Sequence, residues 1–263
     1  MIFSSVESFF EKTMPGIDLE SSQGKLSLNK IESTLSFVTN DDRFIAVFLG
    51  GSYPNQRAKR YSDVDVYAFV DDDNFRWRRH FNIVKGVPIE LNILSVSFFY
   101  QLLGHARKTR YAALLRGLFE AKILKGGDVS ASIKNIVSDT LGGQAEQVLD
   151  IDKLNRKLRF SLTTKLMDFY QEPDFLKANI VLCSIVGDVA SLLNLAAQGW
   201  VSNTKHMAGG IEQDGHCKEF LNGFFKSYVS FVSGGDKAVV MDSLIHVLTF
   251  YGGGVWDSFE ESY

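Results

Sequence analysis

Hydrophobic and polar positions change rhythm about halfway along the chain. Near the start, Leu26, Ile31, Leu35 and Val38 are spaced for one helical face, and Asn40-Asp41-Asp42 ends the segment. A continuous apolar run over 44–49 (FIAVFL) predicts a short buried strand that leads straight into Gly50-Gly51-Ser52. Over 63–70, Val64, Val66 and Ala68 alternate with Asp63, Asp65 and Tyr67, the period of a strand. Asp71-Asp72-Asp73-Asn74 stops it and reads as a turn and helix N-cap. Arg76, Trp77, Arg78 and Arg79 then read as a solvated helix face. A third strand is expected over 87–94, with Val87, Ile89, Leu91 and Ile93 on one side and Glu90 and Asn92 on the other. A helix is expected over 97–124.

Beyond about residue 130 the strand rhythm fades. Segments 132–148, 154–170, 175–197, 217–232 and 237–251 read as helices, several with apolar residues at i, i+3 and i+4. The pattern therefore predicts an α+β protein: a small mixed β-sheet domain over 1–128 and an all-helical domain over 129–263. The most apolar stretch, 180–197, is interrupted by Asp188 and Asn194 at helical spacing, which favours a buried core helix over a membrane span.

Composition narrows the function classes. The 263 residues carry 28 Lys+Arg against 31 Asp+Glu, a net charge of -3. That balance disfavours a protein that coats nucleic acid, because phosphate binding needs a basic surface. With 45% apolar and 22% charged residues, disordered and collagen-like chains are excluded. Cys183 and Cys217 are too few for a disulfide framework and form no C-x-x-C pair, so both are expected as buried thiols in a reducing compartment. The segment MIFSSVESFFEK lacks the basic region of a signal peptide, so a cytoplasmic protein without a membrane partner is expected.

The chemistry concentrates in FLGGSYPNQRAKRYSDVDVYAF. Asp63 and Asp65, at i and i+2 on a strand, point to one face and lie close together. Two such charges are costly unless a cation sits between them, and oxygen ligands of this kind suit Mg²⁺. Gly50 and Gly51 let the backbone approach a ligand closely. A helix starting after Ser52 would turn its free N–H groups toward an anion such as a triphosphate. Glu90, on the polar side of the third strand, joins the carboxylates if the two strands are neighbours. It then either ligates metal or takes a proton from an acceptor hydroxyl. This is the equipment of phosphoryl or nucleotidyl transfer.

Gly-Ser, a gap, Ser-Asp-x-Asp and a later acidic strand residue resemble the polymerase-beta-type nucleotidyltransferase superfamily. The layout over both halves resembles its two-domain bacterial members, including the aminoglycoside and lincosamide adenylyltransferases. The resemblance implies that 1–128 is a catalytic domain and that Asp63 and Asp65 hold one or two Mg²⁺ ions on a nucleoside triphosphate. It implies that Gly51 and Ser52 hold the terminal phosphates, and that Glu90 activates the acceptor hydroxyl or completes the metal site. Many members carry Arg-Gly a few residues after Gly-Ser, where this chain has Asn55-Gln56. Arg57, Lys59 and Arg60 are the candidates to supply that charge. In two-domain members a lysine of the helical domain often reaches the triphosphate, which makes Lys205 the candidate here. The implied reaction moves a nucleoside monophosphate, AMP from ATP being the leading case, to a hydroxyl of a small molecule such as an antibiotic. The rival is a non-catalytic nucleotide-binding or antitoxin-like partner protein of the same fold; protein and RNA acceptors are further alternatives. Nothing in the pattern marks an oligomeric state.

Other chemistries find no support. The five histidines (His80, His105, His206, His216, His246) lack metal-ligand spacing. There is no G-x-x-x-x-G-K-[ST], no G-x-G-x-x-G after a strand and no G-x-S-x-G elbow.

Overall fold

The computed structural model describes residues 27–58, 62–109, 111–142, 151–197, 200, 211 and 215–256. Two short helices, α1 (Leu28–Thr34) and α2 (Ser36–Thr39), precede the sheet. Ser27 caps α1, its Oγ accepting from the Lys30 N–H at 3.3 Å. Five strands follow: β1 (Ala46–Leu49), β2 (Val64–Val70), β3 (Trp77–Val84), β4 (Val87–Ser95) and β5 (Lys122–Lys125). They form one sheet in the order β3-β4-β2-β1-β5. β2 and β4 run parallel and every other pair is antiparallel, so the sheet is mixed.

Strand alternation divides the residues between two faces. Val47 and Leu49 of β1, Val64, Val66 and Ala68 of β2, and Val87 and Ile89 of β4 pack with Ile31, Leu35 and Val38. On the opposite face Phe48, Phe69 and Phe99 stack edge to face at 5.7 and 5.4 Å. Asp65 and Tyr67 share this second face with Phe69, by the same alternation.

Two expectations are corrected. The segment holding Arg76, Trp77, Arg78 and Arg79 is the end of a turn and the start of β3, not a helix face. Lys85 and Gly86 close the β3–β4 hairpin at φ of 52° and 77°, the positive values that a tight two-residue turn requires. The acidic run is accordingly a turn into a strand, with the Asn74 N–H donating to Asp72 Oδ1 at 2.9 Å. The single helix expected over 97–124 is instead α3 (Val96–Thr109), α4 (Ala113–Glu120) and β5, which pairs with β1. α5 (Gly127–Gly142) follows.

The chain divides into two compact units, Met1–His105 with Leu114–Gly143, and Ala106–Ala113 with Gln144–Tyr263. α5 counts with the sheet because Ser130 Oγ and Lys134 Nζ donate to the carbonyls of Lys125 and Ala121 at 2.5 and 2.6 Å. That carries the first unit through 143, past the division at 128 marked by the fading strand rhythm.

The second unit contains α6 (Ile151–Gln171), α7 (Phe175–Ala196), α8 (Gly215–Gly234) and α9 (Lys237–Phe250). Asp174 and Asp236 cap α7 and α9, accepting from the Lys177 and Ala238 N–H groups at 2.8 Å each. α7 is long and apolar enough to cross a membrane by length and composition. Its inner row, Leu182, Ile185, Val189, Leu192 and Leu193, is nonetheless the centre of this unit's core, with Phe169, Phe224 and Phe231. Its one carboxylate is satisfied: Asp188 accepts from Ser161 Oγ and Lys165 Nζ, both at 2.6 Å. Cys217 is buried, but Cys183 is exposed, contrary to the expectation of two buried thiols; its sulfur lies 3.6 Å from the Tyr228 hydroxyl.

Candidate metal centre

β2 and β4 lie side by side in parallel register, with Asp65 opposite Glu90. Parallel partners project to the same face, so the two carboxylates meet across the strand boundary. Asp63 stands just before β2, two residues from Asp65. Ligand oxygens of Asp63, Asp65 and Glu90 all lie within 4.8 Å of one another, and each residue is half-buried. Three carboxylates at this spacing are an all-oxygen donor set of the kind hard divalent cations take.

The glycine turn is built around Asp65. The Gly50 N–H donates to the Asp65 carbonyl at 2.8 Å, fixing the end of β1 against β2. Gly51 follows with φ of +70°, and Asp65 Oδ2 fills the space where a Cβ would stand. Only glycine takes that backbone and leaves the carboxylate its place. The expected helix after Ser52 does not form. Residues 51–56 are turns, closed by Arg57 N–H donating to the Ser52 carbonyl at 2.8 Å, with Gln56 at φ of 57°. The phosphate seat expected there is therefore a turn beside the carboxylates rather than a helix N-terminus.

The other expected residues divide. The Arg57 guanidinium pairs with Glu120 of α4, which also accepts from Asn55 Nδ2 at 2.7 Å. Its described partner is thus a carboxylate of the scaffold. Lys59, Arg60 and Lys205 lie outside the described residues.

Four residues around the site were given no role there by the sequence pattern. Arg79 of β3 forms an ion pair with Glu90 Oε2. Asn92 Nδ2 donates to Glu90 Oε1 at 2.9 Å. Burial pushes the Glu90 carboxyl up, but these two hydrogen bonds outweigh it and hold the group below the usual glutamate range. Tyr53 is buried and its hydroxyl donates to the Ser62 carbonyl at 3.2 Å, tying the loop down just before Asp63. The Tyr67 ring fills the spaces beside both Gly50 and Gly117. Burial, then the charges of Asp65 and Glu90, push its phenol well above the usual tyrosine range, so it stays neutral. The Gly50-Gly51 pair after β1 and a tyrosine two residues after an aspartate were visible signals; the cross-strand Arg79–Glu90 pair was not.

No protein-family model and no curated protein matches the chain. Among solved structures it is similar to the crystal structure of a nucleotidyltransferase-like protein from Exiguobacterium sibiricum, at 9% identity and a TM-score of 0.46, over 84% of this chain and 75% of that one.

Proposed function

We propose that the chain is a Mg²⁺-dependent nucleotidyltransferase that moves a nucleoside monophosphate, AMP from ATP being the leading case, to a hydroxyl of a small-molecule acceptor and releases pyrophosphate. The observation that carries this reading is the meeting of Asp63, Asp65 and Glu90, supported from below by a glycine that has no room for a side chain. The donor set fits a hard divalent ion in chemistry and spacing. A divalent ion supplies charge stabilisation for the attacking and leaving oxygens of an in-line displacement.

The chain's own residues divide the work. Asp63 and Asp65 hold the ion. The Gly50-Gly51-Ser52 turn presents backbone and a hydroxyl to the terminal phosphates beside them. Glu90 completes the ion's donor set, as the third carboxylate within 4.8 Å of the other two. Tyr67, neutral and packed against Gly50 and Gly117, braces the glycine turn beside the carboxylates. An antibiotic is the leading acceptor, in a cytoplasmic setting with neither membrane nor nucleic acid as partner.

The test is pyrophosphate release from ATP with Mg²⁺ and a panel of hydroxyl-bearing acceptors. Asp63→Asn should lower the rate by about 10²-fold or more, the scale of losing one preorganised electrostatic contact. A fully active Asp63→Asn protein removes the aspartates from the mechanism. Triphosphate binding without product for any acceptor would mark a nucleotide-binding module instead.

A further inference from the structure

Arg79 and Asn92 are cross-strand partners in the β3–β4 hairpin, as are Phe81 and Glu90. Such partners project to one face, so Arg79 lies on the face that carries Glu90 and Asp65. Its guanidinium holds one oxygen of Glu90. Asn92 holds the other, and Trp77 Nε1 donates to Asn92 Oδ1 at 3.4 Å. The charges of Asp65 and Asp63 act on the same guanidinium. The two partners differ in mounting. The Glu90 side chain is 15% exposed and fixed from a second side, whereas Arg79 is 57% exposed on the edge strand of the sheet. The anion is anchored, and the cation can leave without opening the core.

We propose that Arg79 is a displaceable counter-cation: it neutralises Glu90 until a divalent ion takes that carboxylate, and then pairs with the anionic triphosphate. This rests on the metal reading above. Three carboxylates within 4.8 Å repel one another strongly unless positive charge stands among them. A divalent ion brings twice the charge of a guanidinium in a smaller volume, so it wins Glu90 when present. The released guanidinium keeps its charge and its planar fork, which suits phosphate oxygens. Arg79 thus acts twice in this scheme: it holds the charge on Glu90 before the ion arrives and binds phosphate oxygens afterwards.

The experiment titrates Mn²⁺ into the full-length protein, read by the electron paramagnetic resonance signal of free Mn²⁺, for wild type, Arg79→Gln and Arg79→Lys. Removing a competing unit charge should make Arg79→Gln bind Mn²⁺ alone roughly three- to tenfold tighter. A non-hydrolysable ATP analogue, added with saturating Mn²⁺, should bind Arg79→Gln roughly five- to thirtyfold more weakly, with much of the loss recovered in Arg79→Lys. Opposite signs in the two titrations are the signature, because a merely structural residue would weaken both. Mn²⁺ affinity that is unchanged or weaker in Arg79→Gln overturns the displacement. Wild-type protein that takes up no Mn²⁺ overturns the metal reading itself. Arg79 lies on the surface, and a circular-dichroism melt of each variant keeps a folding defect separate from a binding one.

Discussion

Gly51 and Gly104 make a matched pair at the residue scale. A methyl group at Gly51 meets the Asp65 carboxylate and a φ of +70°, whereas one at Gly104, within α3, meets nothing within 4 Å. Gly51→Ala should cost about 1–3 kcal/mol and weaken Mn²⁺ binding, because the carboxylate must move. Gly104→Ala should be neutral or stabilise by up to about 1 kcal/mol, since alanine suits a helix interior better. Thermal melts of the two variants check both signs. Glu90 gives a pH signature at the same scale. Its folded-state carboxyl titrates below its ordinary value of 4.5. The ion pair's stabilisation is therefore complete above that value and is lost as acid protonates the folded group. In metal-free buffer, the melting temperature of wild type minus that of Glu90→Gln should shrink as pH falls below 4.5. A difference that stays constant there would mean that Glu90 titrates alike in both states.

At the scale of elements, the sheet was legible where burial was one-sided or complete. β1, β2 and β4 each write a run or an alternation because one or both faces are packed. β3 writes neither, since six of its eight residues are exposed, so WRRHFNIV shows no contrast between faces. An edge rich in charge also resists pairing with another strand, which is a reason for such a sequence to stand there. The Lys85-Gly86 turn between two apolar pairs was the available signal for the hairpin. β5 has only four residues and was absorbed into a helical rhythm on either side. The carboxylates were therefore readable along single strands, while Arg79 was not, because its partner is set by hairpin register. The aromatic stack on the face that carries Asp65 is sensitive to truncation. Phe99 is fully buried and meets Phe69 edge to face at 5.4 Å. Phe99→Ala should cost about 3–5 kcal/mol, measured by denaturant unfolding.

For the whole molecule, the change of rhythm near residue 130 corresponds to two compact units of different class. The helical unit has its own closed core, in which Phe169 and Phe231 meet at 5.0 Å and α6 to α9 each contribute buried residues. A fragment spanning 144–263, which holds every residue of that core, should accordingly keep a helical circular-dichroism spectrum and a cooperative melt. A fragment without cooperative melting would mean that this core is insufficient by itself. The seam proved harder to read than the units, because α5 follows the sheet in sequence and joins it by a buried face with Ile133 and Val137 and by side chains reaching back to carbonyls. Helical periodicity reports the face a helix buries and carries no record of which neighbour it buries that face against.

The open border of the sheet has an evolutionary consequence. Gly51 and Asp65 constrain each other atom by atom, so neither is free to drift alone. Trp77, Arg79 and Phe81 alternate along a row whose side chains stand largely in water. New recognition can be tried at Trp77 and Phe81 by single substitutions while Arg79 and the buried core of the sheet are left alone. Divergent descendants of this chain should thus keep their acidic trio and retune appetite through the rim.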